Sequence, residues 1–402
     1  MYKTDPGKRK RIVLILLAEL LILAAAAGFV LYSHDLPGRK DAPAQTAETQ
    51  AQTETADVPS STLFFTSDYQ YEDGFGRPAD NLSGILDAAA GGGKSIDSVI
   101  VCGDYTNEHG RDNYQQSPEP SITEIRELVS QKISEEAAGG IIFVQGNHDS
   151  MTESLAESGL HEYDDHLVYV LNTQEDFPWC QGKTAGCLEK IKRSSAEMKA
   201  CFDKLIENGE TRPVIIAGHV PLHFTARTSS RHSTGDNMYS SLIFDVVNEA
   251  GKSLDIVYLF GHNHSKGWDC YMGGSAVYKP AGDTLLVPVL DEKAISTDSY
   301  TEEKLNFTYL NAGYTGYYMN CSYKDDKSRY DAADMTLTGT VCEIYPDRLV
   351  LTRYDSEGVH NMGSDGESDP YKGGIDAGLI PSDKYSRAKE SPQTVERKSR
   401  QN

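Results

Sequence analysis

The sequence has too few basic residues to be a general binder of polyanions. Lysine and arginine number 38 against 60 aspartates and glutamates, a formal net charge of -22 over 402 residues. A surface that acidic repels nucleic acid and anionic lipid, so no general nucleic-acid binding is expected. A small phosphate-bearing substrate stays open, because bound cations invert the local field. Only one long apolar run is present. With 39% hydrophobic and 24% charged residues, the composition suits a soluble globular body and excludes a multi-span membrane protein. No internal repeat is found. The candidate metal ligands include no paired cysteines, which sets aside a structural zinc protein. Gly91–Lys94 reads Gly-Gly-Gly-Lys but lacks the Gly-x-x-x-x-Gly-Lys-Ser/Thr frame of a phosphate loop.

Cysteine is sparse and odd in number, at seven. Cys102, inside an apolar run, is expected as a buried free thiol. Cys180, Cys187, Cys201, Cys270, Cys321 and Cys342 could form up to three disulfides in an oxidising compartment, or remain thiols. Cys180 and Cys187, bracketing a short glycine-containing loop, are the first candidate pair.

The single long apolar run lies near the start. Lys8, Arg9, Lys10 and Arg11 precede residues 12–32, in which Glu19 is the one charged side chain. About twenty such residues are enough to cross a hydrocarbon core as a helix. The basic cluster places residues 1–11 in the cytoplasm and the rest outside. The expectation is a single-pass cell-membrane protein with an extracytoplasmic domain. A cleaved signal peptide, with small residues from Ala24 to Gly28, is the alternative, and it leads to secretion. Residues 33–60 are mostly Ala, Thr, Gln, Glu, Asp and Pro and read as a flexible linker.

From residue 61 short apolar runs appear: Leu63–Phe65, Ser98–Cys102, Ile141–Val144, Leu167–Leu171, Val214–Ala217 and Ile256–Phe260. Their length and β-branched content predict buried strands. Between them, residues 122–137 carry apolar positions on one helical face, with Ser121 and Glu124 at capping-box spacing. Residues 194–206 and 241–250 read as further helices. Alternation of strands and helices predicts an α/β body. Strands alone follow at 306–310, 317–320, 335–345 and 349–354, the last two joined through Pro346-Asp347-Arg348 as a hairpin expected to close a second sheet. The domain is bounded at 61–356, and the polar segment 357–402 reads as a disordered tail.

Five of the apolar runs deliver polar residues into the loop that follows. These are Ser67-Asp68-Tyr69-Gln70, Gly103-Asp104-Tyr105-Thr106-Asn107, Gly146-Asn147-His148-Asp149, Gly218-His219 and Gly261-His262-Asn263-His264. Open α/β sheets place their sites at such strand ends. In four blocks a glycine before the polar residue lets the backbone turn tightly and approach an ion. Taken singly each block is weak, since Gly-Asp is an ordinary turn and a lone histidine is usually inert. Two imidazoles flanking one residue, as in His262-Asn263-His264, are better placed to share a metal. The ordered set is what points to a metal centre.

These blocks resemble the calcineurin-like metallophosphoesterase superfamily over residues 61–356. The resemblance implies a four-layer α/β/β/α sandwich of two mixed sheets, here preceded by the transmembrane helix, and two divalent metal ions at the strand ends. It makes Asp68, Asp104, His264 and Gln70 ligands of one ion. Asp104 bridges to a second ion held by Asn147, His219 and His262. His148 then matches the histidine that contacts the scissile phosphate, with Asn107 and Asp149 as orienting residues. The implied activity is hydrolysis of a phosphomonoester or phosphodiester by a hydroxide bridging the metals. The donor set suits Mn, Fe or Zn rather than Ca. Two departures stand out. Gln70 occupies a position usually held by histidine, and Asn107 one often held by aspartate. They motivate an alternative reading, a degenerate member that keeps the fold as a surface-binding protein. His109, His223, Arg227 and Arg231 are less specific loop candidates for substrate contact, and Tyr69 and Tyr105 for the site wall.

Overall fold

The computed structural model describes residues 57–71, 78–91, 93–106, 117–177, 185–223, 239–262, 278–289, 300–316, 337–362 and 389–398. The apolar run at 12–32 and the linker before residue 57 lie outside them. So do the strand expected at 317–320, Asn107, His109, Cys180, Arg227, Arg231, His264, Cys270 and Cys321. Among the described residues no helix is long and apolar enough to cross a membrane.

Along the chain the described elements begin with β1 (Ser61–Thr66), α1 (Pro78–Gly91), β2 (Ser98–Val101), α2 (Glu119–Lys132), α3 (Glu135–Gly139) and β3 (Ile142–Phe143). Next come β4 (Gly159–Glu162), β5 (Leu167–Leu171), α4 (Ala185–Glu207), β6 (Val214–Gly218), α5 (Ser240–Ala250) and β7 (Ile256–Phe260). Strands alone complete the order: β8 (Tyr278–Lys279), β9 (Thr284–Pro288), β10 (Tyr300–Lys304), β11 (Thr308–Asn311) and β12 (Gly313–Tyr314). The last are β13 (Thr338–Ile344), β14 (Arg348–Asp355), β15 (Gly358–His360) and β16 (Gln393–Glu396).

Two mixed sheets result. The first runs β15-β14-β13-β1-β2-β3, with β12 on β13 and β16 on β14; the second runs β4-β5-β6-β7-β11-β8. β9 and β10 pair separately. In the first sheet β1, β2 and β3 are parallel while β13 runs antiparallel to β1. Parallel strands need crossover connections, and α1, α2 and α3 supply them.

Side-chain alternation stacks the layers. Leu63 and Phe65 of β1 face one way, into a cluster shared with Val168, Ile215, Val257 and Leu310 of the second sheet. Phe64 points the other way, against Leu82, Ile85, Ile122 and Ile125 of α1 and α2. On the far face of the second sheet Tyr169, Ile216 and Tyr258 pack on Ile191, Phe202, Ile243 and Phe244 of α4 and α5. The order is helix, sheet, sheet, helix. Strands buried on both faces read as unbroken apolar runs, and each fully buried large aliphatic contributes roughly 1.5–3 kcal/mol.

Several expectations need correction. Ser121 and Glu124 form no capping box. Helix α2 begins at Glu119, its N-cap is Pro118, and no side chain caps it. Prolines 118 and 120 preset φ for the first turn, so the start moves ahead of Ser121. The helical stretch also divides, and Ser134 caps α3 by accepting from Ala137 N at 3.0 Å. The hairpin at Pro346-Asp347-Arg348 forms, and Tyr345 N donates to Arg348 O across it at 2.9 Å. It joins the sheet of β1. The segment 357–402 is not disordered throughout, since β15 and β16 extend the first sheet. β16 satisfies backbone groups that the edge of β14 would otherwise expose, and Val395 packs on the inter-sheet core. Cys201 and Cys342 carry free thiols, as does buried Cys102.

Candidate metal centre

Polar groups converge where β1, β2, β3, β6 and β7 end. Asp68, Gln70, Asp104 and His262 all have left-handed backbones, with φ of 50°, 47°, 57° and 65°. All four are at most 1% exposed. Non-glycine residues in this region cost on the order of 1 kcal/mol each. Four at one locus mark backbone shaped to aim side chains inward.

The loops are locked together by backbone hydrogen bonds. Asp68 N donates to Gly103 O and Gln70 N to Asp104 O, each at 2.9 Å. Gly146 lies so close to Asp104 that a Cβ there would stand 2.2 Å from both Asp104 N and Oδ1. Gly103 and Gly261 also serve close approach, each with a neighbour 2.6 Å from where a Cβ would stand, whereas a Cβ at Gly218 would meet nothing nearer than 3.4 Å. Asp149 is fully buried and accepts from three backbone amides, Asp104 N and Gly146 N at 2.8 Å and Tyr105 N at 2.9 Å. It ties the β2 and β3 loops to each other. Burial and the nearby Asp104 charge raise its pKa to about 7, against the pull of those amides.

Asp104 is the centre of the cluster. Its Oδ1 accepts from His148 N at 2.9 Å. Its Oδ2 is buried without a hydrogen bond, 3.2 Å from His219 Nε2 and 3.9 Å from His148 Nε2. Around His219 Nε2 stand Asn147 Oδ1 at 3.0 Å and His262 Nδ1 at 3.2 Å. The other nitrogen, His219 Nδ1, donates to Cys102 O at 2.7 Å. That bond fixes the tautomer and leaves Nε2 to face the cluster, the arrangement metal-binding imidazoles use. Donor atoms of Asp104, His219 and His262 lie within 4.8 Å of one another.

The electrostatics favour positive charge at this point. Burial works to raise the pKa of Asp104, but His219, His148 and His262 outweigh it and hold the carboxyl well below the usual range. Burial works to lower that of His219, yet Asp104 and Asp68 lift it to about 9. A cation bound among the same donors would take the place of that proton. An orphaned carboxylate oxygen, two imidazoles and an amide oxygen within 3.2 Å contacts fit a divalent transition ion. Asp104, Asn147, His219 and His262, the expected second-ion set, are thus brought together.

Of the expected first-ion set, Asp68 and Gln70 are buried beside this cluster, while His264 lies outside the described residues. Asp68 accepts from His262 N, at 3.0 Å to Oδ2 and 3.2 Å to Oδ1. Ser67 is a residue that sequence reasoning passed over. Its Oγ lies 2.5 Å from Asp68 Oδ2 and 2.6 Å from Gly313 O. Behind that loop stands Arg353, fully buried, donating to Thr338 Oγ1 at 2.9 Å and to Asn311 O. Burial lowers its pKa to about 10. Its place in an apolar strand gave no signal beyond an arginine at a core position.

Tyr69 and Tyr105 point into the helix-side cluster. Tyr69 OH donates to Glu124 Oε2 at 2.5 Å, and Tyr105 OH lies 2.8 Å from Val144 O. His223, offered as a substrate contact, is instead fully buried among Phe260 and Tyr309, 2.9 Å from Tyr309 OH.

A family model described as calcineurin-like phosphoesterase matches residues 62–266. No curated protein matches in sequence. Among solved structures, one similar chain is a dimetal phosphatase from Danio rerio. It is 10% identical with a TM-score of 0.40, over 76% of this chain and 99% of that one. A structure of PhoD is 12% identical with a TM-score of 0.36, over 76% and 72%. Vps29 from Chaetomium thermophilum is 9% identical with a TM-score of 0.31, over 84% and 100%. Likeness this distant says nothing about activity.

Proposed function

We propose, from the premise that the chain belongs to the calcineurin-like phosphoesterase family and is a phosphoesterase, that it hydrolyses phosphate esters at the cluster centred on Asp104. The observation that carries this reading is the buried, hydrogen-bond-free Asp104 Oδ2 among imidazole nitrogens. Asp104, Asn147, His219 and His262 would hold one divalent ion, and Asp68, Gln70 and His264, sharing Asp104, a second. Bound there, the pair supplies Lewis acidity and a water acidic enough to act as a nucleophile near neutral pH.

The chain's own residues do the rest. Asp149 and the glycine contacts hold the ligand loops in register, so that no donor must reorganise during reaction. Cys102 O orients His219. His148 is the most exposed of the described members of the cluster at 7% and is held by its backbone bond to Asp104. It is placed to hydrogen-bond a phosphoryl oxygen and to deliver a proton to the leaving oxygen. Gln70, with a harder amide oxygen in place of imidazole nitrogen, would favour Mn at the first site.

The basic cluster and apolar run near the start support a single membrane anchor, with the domain on the outer side. Anchoring predicts that the full chain stays in the membrane fraction through an alkaline carbonate wash, and release into the supernatant would contradict it. Catalysis is tested with p-nitrophenyl phosphate and bis-p-nitrophenyl phosphate. Turnover of at least one, lost on chelation and restored by Mn, is expected. No turnover of either with Mn supplied would favour the surface-binding alternative.

A further inference from the structure

The candidate centre straddles the two sheets. Asp68, Asp104 and Asn147 follow strands of the first, and His219 and His262 follow strands of the second. Asn147 Oδ1 and His219 Nε2 nonetheless stand 3.0 Å apart, a contact that requires the ends of the two sheets to be held in register. Gln145 is placed to hold them. It precedes the loop Gly146-Asn147-His148-Asp149 and is fully buried. Its backbone N and O and its side-chain Oε1 and Nε2 are all hydrogen-bonded within the protein.

Three of those bonds reach the segment that continues β5 in the second sheet. Gln145 N donates to Asn172 Oδ1 at 2.9 Å, Thr173 Oγ1 donates to Gln145 O at 2.6 Å, and Gln174 N donates to Gln145 Oε1 at 3.0 Å. The fourth turns back on the loop. Gln145 Nε2 donates to Asp149 O at 2.9 Å, closing the turn that carries Asn147 and His148. Gln174 Nε2 donates to the same carbonyl at 3.1 Å. Asn172 is itself fixed, its N donating to Asp176 Oδ2 and its Nδ2 to Ala156 O, each at 2.8 Å. β5 also pairs with β6, where Leu171 lies opposite Gly218, the residue before His219. One segment therefore sets His219 through strand pairing, and Asn147 and His148 through Gln145. A buried network with its members satisfied specifies one geometry, and a reacting group displaced by about 1 Å loses on the order of a hundredfold in rate.

We infer that Gln145 is a positioning residue for the reaction, fixing His148 where it delivers a proton to the leaving oxygen. The inference rests on the phosphoesterase reading above and on the role given there to His148. Asn147 moves with the same loop, but it would share its ion with Asp104, His219 and His262, so saturating metal offsets a small shift there. His148 acts alone on the leaving oxygen. Loss of the Gln145 side chain therefore falls on proton delivery rather than on metal or substrate binding.

The test is leaving-group dependence on the full chain at saturating Mn. It is read as the ratio of kcat for a p-nitrophenyl ester to kcat for the phenyl ester, in whichever class is turned over, phosphomonoester or methyl diester. p-Nitrophenolate leaves with little help, whereas phenolate needs the proton. His148→Ala should raise the ratio by more than about tenfold. Gln145→Met, similar in volume but without the amide, should raise it about tenfold, with KM within about threefold of wild type and metal content unchanged. Gln174→Ala removes only the second donor to Asp149 O, from a half-buried position. It serves if Gln145→Met folds poorly, and should raise the ratio about threefold. Met198→Ala opens a cavity in the helix-side core on the far face of the second sheet; it should lower stability and leave the ratio within about twofold. A ratio raised in His148→Ala but unchanged in Gln145→Met and Gln174→Ala overturns the positioning role alone, as does an equal rise in Met198→Ala. An unchanged ratio in His148→Ala removes the proton donor and this inference with it, and leaves the phosphoesterase standing. Turnover of no ester overturns all three.

Discussion

Replacing Gly146 by alanine probes the centre without replacing any of the proposed metal ligands. The added Cβ would sit 2.2 Å from Asp104 N and 2.2 Å from Asp104 Oδ1, where ordinary contact begins near 3.4 Å. Neither partner is a flexible side-chain tip. One is backbone, and the other is the carboxylate oxygen that already accepts from His148 N. Relief also strains the bond from Gly146 N to Asp149 Oδ2, 2.8 Å long. The β2 and β3 loops must therefore part by about 1 Å, a displacement that at a catalytic constellation costs on the order of a hundredfold in rate. The overpacking itself should cost about 1–3 kcal/mol of stability. Gly139→Ala is the control. That glycine is in α3, and a Cβ there meets nothing within 4 Å, so a gain of roughly 0.5–1 kcal/mol is expected. The assay is kcat/KM on bis-p-nitrophenyl phosphate, with metal content and thermal unfolding measured on the same preparations. Gly146→Ala with kcat/KM within about threefold of wild type and unchanged stability would refute the geometric reasoning.

Two further predictions concern the body of the protein. Burial first, then the charges of Lys279 and His262, lower the pKa of His223 to about 3. The native state therefore prefers neutral His223. Stability from this preference is present above pH 6.5 and is lost as pH falls from 6.5 towards 3, by up to on the order of 4 kcal/mol. His223→Gln keeps an acceptor for Tyr309 OH and should flatten the decline in urea unfolding between pH 7 and 4. Parallel profiles for wild type and variant would count against it. Truncation after residue 388 removes β16, the packing of Val395 and the contacts of Arg397 and Lys398 to Asp255, at 3.4 and 2.9 Å. A loss of about 3 kcal/mol and a fall in Tm of more than about 5 °C are expected; a disordered tail would give no change.

The strands that carry the site were legible because they are buried on both faces and read as unbroken apolar runs ending in glycine and polar residues. Leu63–Phe65 and Ile256–Phe260 are of this kind. Strands at the margins carried no such signal. β4 is Gly-Leu-His-Glu and β16 is Gln-Thr-Val-Glu, both largely outside the core, and their pairing partners rather than their composition make them strands. The sheet joined by the 345–349 hairpin was not legible either, since Leu63 pairs with Cys342 across most of the domain's length. At the site, residue types in ordered blocks disclosed Asp104, Asn147, His219 and His262. The groups that orient them were hidden, because Cys102 acts through its carbonyl and Ser67 through a contact to the distant Gly313. The left-handed backbone of Asp68, Gln70, Asp104 and His262 was hidden too, since no sequence pattern requires it of those residues.

Metal content of the purified full chain, counted by mass spectrometry after incubation with Mn and removal of free ion, tests the central claim most directly. The account predicts about two ions per wild-type chain, fewer than about one in Asp104→Ala, whose carboxylate is shared by both sites, and a near wild-type count in His148→Ala, which should lose most of its activity. Fewer than about one ion on the wild-type chain, or a count that Asp104→Ala leaves unchanged, would contradict it.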